Sequence, residues 1–475
     1  MITLAGRAGA RDHGCMAFGA AIPTGSGHAG YAERVATLRA HLADLPEGTP
    51  VRLAKGTSNL FRPRSRATAG LDVSAFDHVL SIDPQNRTAD VEGMVTYERL
   101  VDATLPHGLM PLVVPQLKTI TLGGAVTGLG IESSSFREGM PHESVVEMDI
   151  LTGAGDVVTA TPDGEHSDLF FGFPNSYGTL GYALRLRIEL APVRPYVRLE
   201  HLRFSDPARY FERLARACRD READFVDGTV FAPDELYLTL ATFSGEPDEV
   251  SDYTWMDVYY RSIREKTVDH LPIRDYLWRW DTDWFWCSRA LGAQNRLVRL
   301  LAGPRLLRSD VYWKIVGFER RHRLWERASR LLGRPEREAV MQDIEVPVHR
   351  AEEFLTFLHR EIPISPVWIC PLSGRDARRW PLYELDPDEL YVNFGFWGTV
   401  PLEPGEPQGS HNRRVENVVT ELDGRKSLYS ESFYDRDTFW RLYGGNQGQT
   451  YQALKHRYDP NGRLLDLYAK CVQAR

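Results

Sequence analysis

Two periods of hydrophobic spacing alternate along the chain. Over residues 31–45, apolar side chains recur at Val35, Leu38, Leu42 and Leu45, the spacing of one helix face. Pro46, Gly48 and Pro50 end that helix. Val51–Ala54 then reads as a buried strand. Residues 79–82 and 88–95 read as two paired strands. Residues 97–105 read as a helix closed by Pro106 and Gly108, and 144–151 with 157–161 as a hairpin turning at 153–155. Ser167 and Asp168 have the chemistry of a helix N-cap. From Tyr196 arginines and aromatics alternate and a second unit begins. It holds a helix over 207–222, strand pieces within 225–243 and a basic helical stretch over 296–332. A strand at 343–347, a helix over 350–361 and short strands at 367–372 and 389–395 follow. This order gives an α+β fold, and 475 residues give more than one domain.

Residues 115–135, PQLKTITLGGAVTGLGIESSS, fit neither period. Gly123, Gly124, Gly128 and Gly130 sit among small residues and hydroxyls. Glycine lets another group approach the backbone closely, and N–H groups freed in such loops make anion-binding nests. So small and uncharged a run lacks the polar face of an ordinary surface helix. A glycine-rich turn between core strands is the plainer alternative. Two further small-residue loops lie beside strand-like segments: Lys55-Gly56-Thr57-Ser58-Asn59 upstream and Gly178-Thr179-Leu180-Gly181 downstream.

Composition narrows the classes. Hydrophobic content of 43% with 26% charged residues is that of a globular protein with an adequate core. A net charge of −8 carries no basic face for nucleic acid. The five cysteines form no C-x-x-C pair, so no disulfide framework or metal site is expected, and a reducing cytoplasm fits. No run of about 18 apolar residues suggests a membrane span. Residues 1–30 lack the apolar core of a signal peptide and read as a disordered N-terminus, with Met16 a second start position.

The three loops, in this order, resemble the FAD-binding domain of the vanillyl-alcohol oxidase and p-cresol methylhydroxylase flavoprotein superfamily. The resemblance implies that Lys55, Gly56, Thr57, Ser58 and Asn59 wrap the pyrophosphate. It lays the Thr121-Leu122-Gly123-Gly124 stretch along the ribityl chain and flavin, with Thr127, Gly128, Gly130, Ile131 and Ser134 completing that part of the cofactor site. Gly178, Thr179 and Gly181 fall on the adenine side. Many members carry a histidine in the first loop that bonds the flavin; none stands there, so non-covalent FAD is expected. The implied domains are an FAD-binding domain at 31–195, a substrate or cap domain at 196–428, and a segment at 429–475 returning towards the flavin.

Gly130–Ser135, GIESSS, resembles the Δ24-sterol reductase branch more narrowly. So do SDLF at 167–170, WICP at 368–371, ELYVN at 389–393 and YSESFY at 429–434. Residues 275–289, DYLWRWDTDWFWCSR, resemble bacterial 10-methylene fatty acyl reductases. The resemblance thus implies reduction of a carbon–carbon double bond in a lipid: first a 10-methylene fatty acyl chain made by a methyltransferase partner, second a Δ24 sterol. An FAD-dependent oxidase of an alcohol or sugar stays open, as does a lipid-binding protein with a vestigial flavin fold. No second dinucleotide-binding motif follows, so NADPH, the donor the resemblance implies, is expected to share the flavin with substrate. Proton-donor candidates in the cap are His411, Glu431, Tyr434 and Tyr391. Trp278, Trp284 and Trp286 read either as core or as an apolar channel, with Asp281 and Asp283 as partners for Arg279 and Arg289. The basic stretch reads as a solvated face, with contact to anionic lipid headgroups as the alternative.

Overall fold

The structure, a computed structural model, describes residues 27–46, 48–55, 61–62, 69–322, 333 and 335–473. Strand Tyr182–Pro192 is the spine of the first half. Leu184, Leu186, Ile188 and Leu190 alternate into the core. On the opposite face Arg185 pairs with Asp149 at 2.8 Å and with Asp90 at 2.5 Å. Strands Thr88–Glu92, Val145–Leu151 and Leu109–Pro111 pair antiparallel with it, and Val79–Asp83 and Val157–Ala160 complete a six-stranded sheet. The expected strand pair and hairpin are both there. Val51–Ala54 forms a separate parallel pair with Ala69–Asp72.

An eight-stranded sheet makes the second half. Its order is Val268–Pro272, Tyr196–Phe204, Glu235–Ser244, Phe225–Ala232, Val367–Leu372, Tyr391–Pro401, Arg337–Pro347, Arg425–Lys426. Side-chain alternation gives it two different faces. Val367, Ile369, Ile344 and Phe394 pack against helices Pro207–Arg219, Ala351–Glu361 and Ser410–Glu421. Trp368, Cys370 and Leu372 point the other way and join the core of the first half. The same alternation turns Asp343 and Glu345 away from the helices that cover Ile344.

Four local expectations change. The first helix already begins at Gly27, inside the stretch read as disordered; residues 1–26 lie outside those described. Within the glycine-rich run a short helix forms, Leu122–Gly128, because it is buried rather than solvated: Leu122, Gly123, Ala125 and Val126 are its inward face. Asp168 does not cap helix Ser167–Gly172. Its carboxylate accepts instead from Tyr458 at 2.7 Å and Arg457 at 3.0 Å, tying the C-terminal helix Gln449–Tyr458 to the first half. The basic stretch forms helix Arg296–Leu306, kinked at Gly303 and Pro304, and helix Ser309–His322, parted at Leu307 and Arg308, and leucines rather than charges dominate its exposed surface.

Candidate flavin site

Two glycines bring backbone into direct contact within the first half. Gly123 donates its N–H to the Gly93 carbonyl at 2.9 Å, and a Cβ on Gly123 would lie 2.8 Å from that oxygen. A Cβ on Gly93 would lie 2.1 Å from the Ala183 carbonyl. Helix Leu122–Gly128 is thereby pressed onto the first sheet with no side chain between. Thr121 caps it, its Oγ1 accepting from Gly124 N–H at 3.2 Å. The face left open borders a cavity of about 360 Å³, within the range of small-molecule sites.

Part of the cavity lining is cationic and incompletely paired. Arg62 donates Nε to the Leu428 carbonyl at 3.0 Å and Nη1 to the Lys470 carbonyl at 2.7 Å, and lies over the Tyr177 ring at 5.1 Å. Its Nη2 has no partner among the described residues, nor do Arg52 Nε and Gln116 Nε2, all three atoms buried. Buried donors are rarely left unpaired. Burial and the neighbouring Arg62, Lys455 and Lys55 push the Lys470 ammonium down to about 7. An anionic group with several acceptors relieves each of these. FAD, with a diphosphate and a polar ring edge, fits them and the glycine-lined wall.

Of the loop residues marked from sequence, Lys55, Thr121, Gly123, Gly124, Thr127, Gly128, Gly130, Ile131, Gly178 and Gly181 border the cavity. Thr179 and Ser134 do not; their hydroxyls donate to Ser176 and Leu112 carbonyls at 2.7 and 2.8 Å. Gly56, Thr57, Ser58 and Asn59 lie outside the described residues.

Another part of the lining is apolar. Trp284, Phe285, Trp313, Trp368 and Trp397 form it. Trp284 is held by its indole N–H on the Leu307 carbonyl at 2.8 Å and by stacking on Tyr312 at 4.6 Å. Trp278 and Trp286 are core residues that do not border the cavity. The expected pairing of Arg279 with Asp281 or Asp283 is not made. Arg279 reaches across to Glu132 at 3.0 Å and Asp227 at 2.7 Å, while Asp281 accepts from Ser309 at 2.6 Å. Arg289 donates to the Ser365 carbonyl at 3.0 Å. The Glu132–Arg279 pair joins the GIESSS loop to the tryptophan-rich segment, so both borders of the cavity are fixed relative to each other.

None of the four proton-donor candidates reaches the cavity. His411 Nε2 is bonded to the Pro401 carbonyl at 3.0 Å. The Tyr391 hydroxyl accepts from Asp386 N–H at 3.1 Å. Tyr434 packs on Tyr443, and Glu431 presents its carbonyl to Lys426. Two acids that sequence reasoning did not single out stand at the cavity instead, Asp343 and Tyr429. Asn393 donates to Asp343 at 3.2 Å, and Trp397 donates its indole N–H to the Tyr429 hydroxyl at 2.9 Å. Burial pushes the Asp343 carboxyl up to about 6, against the lowering effect of hydrogen bonds from Tyr429 and Asn393. Two residues along the same strand face, burial and the neighbouring Asp343 raise Glu345 to about 8. The signal was present: Asp343-Ile344-Glu345 puts two acids on one face of a strand whose other face is apolar.

A glycine-lined, cation-flanked cavity closed by an aromatic cap on a second sheet defines a flavin-binding oxidoreductase. The profile of the FAD binding domain family matches residues 31–161. Over 89% of its length the chain is 26% identical to the Delta(24)-sterol reductase of Arabidopsis thaliana, covering 80% of that protein. It is 26% identical to the Homo sapiens Delta(24)-sterol reductase over 83% of its length, covering 76% of it. With cytokinin dehydrogenase 4 of Oryza sativa subsp. japonica it shares 22% identity over 95% of its length, covering 86% of that protein. The chain is an FAD-linked oxidoreductase that resembles the Δ24-sterol reductases and, through its FAD-binding domain, the vanillyl-alcohol oxidase and p-cresol methylhydroxylase superfamily.

Proposed function

We propose that this protein reduces a carbon–carbon double bond in a long-chain lipid, with a 10-methylene fatty acyl chain preferred over a Δ24 sterol and NADPH as donor. The observation that carries the reading is an apolar, tryptophan-walled part of the flavin cavity containing one buried carboxyl near neutrality, Asp343. An alcohol or sugar would call for several polar partners there; an alkene calls for an apolar wall and a proton. The relatives named Delta(24)-sterol reductase support the same chemistry. The likeness of residues 275–289 to bacterial methylene reductases supports the fatty acyl chain, and a methylene-forming methyltransferase would supply it.

FAD, when bound and reduced, supplies hydride equivalents. The chain's own residues do the rest. Trp284, Phe285, Trp368 and Trp397 exclude water and hold the alkene. An isolated alkene accepts hydride poorly, so a proton must lead or accompany it, and Asp343 holds that proton at its carboxyl oxygen. After transfer the carboxylate is stabilised by hydrogen bonds from Tyr429 and Asn393. Glu345, still protonated at neutral pH, is the nearby store that refills it.

Incubating the reduced protein with a 10-methylene lipid and with a Δ24 sterol, then weighing the products, tests this. A gain of two hydrogens on the methylene lipid is expected. A gain on the sterol alone reverses the preference. No gain on either, with rapid flavin reoxidation by oxygen in the presence of an alcohol, replaces the reading by an oxidase.

A further inference from the structure

Helix Arg296–Leu306 is built inside out. Its arginine Arg299 is buried, donating Nε to the Trp255 carbonyl at 2.6 Å, while Trp255 Nε1 donates back to the Arg299 carbonyl at 2.9 Å. Its leucines face outwards: Leu297 is 63% exposed, Leu300 54%, Leu301 79% and Leu306 56%. A solvated helix shows the reverse arrangement. The next helix, Ser309–His322, continues the surface with Ile315 and Phe318. Nine large apolar side chains are exposed among the described residues, and seven of them lie on these two helices. Concentration of this kind marks an interaction surface rather than ordinary scatter.

Charge says which kind. Residues 296–334 hold eleven lysines and arginines against three acids, in a chain whose net charge is −8. Arg296, Arg305 and Lys314 are themselves exposed beside the leucines. Exposed leucine and phenylalanine rimmed by Lys and Arg is the composition of a helix that lies in an anionic lipid surface. On its other side helix Ser309–His322 contributes Ser309, Tyr312 and Trp313 to the cavity. One helix therefore carries an exposed apolar surface on one face and a wall of the substrate cavity on the other.

We propose that helices Arg296–Leu306 and Ser309–His322 dock the enzyme on an anionic phospholipid bilayer and open its apolar cavity towards the membrane from which the acyl chain is drawn. This rests on the lipid-substrate reading, but docking is measured without turnover, so the two can fail separately.

The test uses the full chain with FAD and two sets of vesicles, phosphatidylcholine alone and phosphatidylcholine with phosphatidylglycerol. Co-sedimentation with the anionic vesicles, weakened by salt, is expected. A Leu297→Ser/Leu301→Ser variant should bind them roughly tenfold more weakly or worse. Because both side chains are already exposed, its flavin absorbance and melting temperature should match the parent. Reversing charge with Arg305→Glu and Lys314→Glu should weaken binding to anionic vesicles and leave the melting temperature unchanged. Absence of binding to either vesicle, or binding that the leucine variant retains, overturns the proposal. So does a parent dimer that this variant converts to monomer without vesicle binding, which would make the face a contact between copies.

Discussion

Trp397 donates its indole N–H to the hydroxyl oxygen of Tyr429 at 2.9 Å, and both side chains border the cavity. That oxygen is committed as an acceptor, and its own proton turns to Asp343, whose carboxyl it stabilises in the ionised form. In the proposed reaction Tyr429 is therefore a positioning group and Asp343 the acid. Asp343→Asn is expected to lower turnover by about 10²–10⁴-fold, while flavin absorbance and NADPH reduction of the flavin persist. Equal loss of flavin would place Asp343 in the fold instead.

Proton inventory gives the pH dependence. The folded protein holds the Asp343 proton to about pH 6, whereas the unfolded chain releases it near 3.8. Stability from this group is present below the unfolded value and lost as pH rises through about 6. Double-bond reduction that needs the proton should decline over the same basic limb. Tyr429→Phe removes a hydrogen bond to the carboxylate and should move the limb to higher pH. A kcat/KM profile unchanged in both variants would remove Asp343 from the reaction.

The sequence shows this half of the site poorly, for a physical reason. Asp343 and Tyr429 are 86 residues apart, brought together by strand Arg337–Pro347 pairing with Tyr391–Pro401 and Arg425–Lys426; Asp343 stands in no local motif, and the YSESFY motif that begins at Tyr429 does not mark which of its residues reaches the cavity. The donors chosen instead, His411 and Tyr434, have suggestive chemistry but are consumed by the packing of helix Ser410–Glu421 and of the Tyr443 ring. Glycine-rich loops are local, so most of the flavin wall can be read from residues 115–135. Strand positions were legible where a short apolar run stood out, as at Val367–Leu372, which is buried on both faces. Sequence proximity points Arg279 to Asp281 and Asp283, whereas the fold brings Glu132 and Asp227 to it from distant strands and loops.

At the flavin wall, Gly124→Val places a branched side chain against Thr121 Oγ1, which a Cβ alone approaches to 2.8 Å. The cap on helix Leu122–Gly128 is lost with the open face. Purified protein should be colourless while still folded by circular dichroism. Arg62→Ala should weaken flavin binding by about 10-fold or more, from loss of a charge-assisted contact. In the parent, acid or heat should release intact FAD. Flavin that stays with the denatured polypeptide on a gel would show a covalent bond.

The tryptophans divide. Trp286, packed on Trp280, Phe285 and Trp397 without touching the cavity, should cost about 3–5 kcal/mol of stability on truncation to alanine. Trp284 borders the cavity, so Trp284→Ala should in addition raise KM for long acyl chains more than for short ones. Identical chain-length profiles for parent and Trp284→Ala would return Trp284 to a purely structural role.

Electron delivery follows from topology. Among the described residues the only parallel strand pairing is Val51–Ala54 with Ala69–Asp72; both larger sheets are antiparallel. A dinucleotide-binding unit of the doubly wound kind needs a parallel sheet with a glycine-rich turn entering a helix, and neither half offers one. On the proposed function, the nicotinamide approaches the flavin through the cavity that admits the lipid. Two substrates using one place by turns give parallel initial-rate lines when both are varied, and each should inhibit competitively against the other at high concentration. Intersecting lines, or NADPH and lipid bound together at saturation by equilibrium dialysis, would require a separate nucleotide site. Flavin that NADPH fails to reduce anaerobically, but that a cell extract does reduce, would transfer the donor role to another protein.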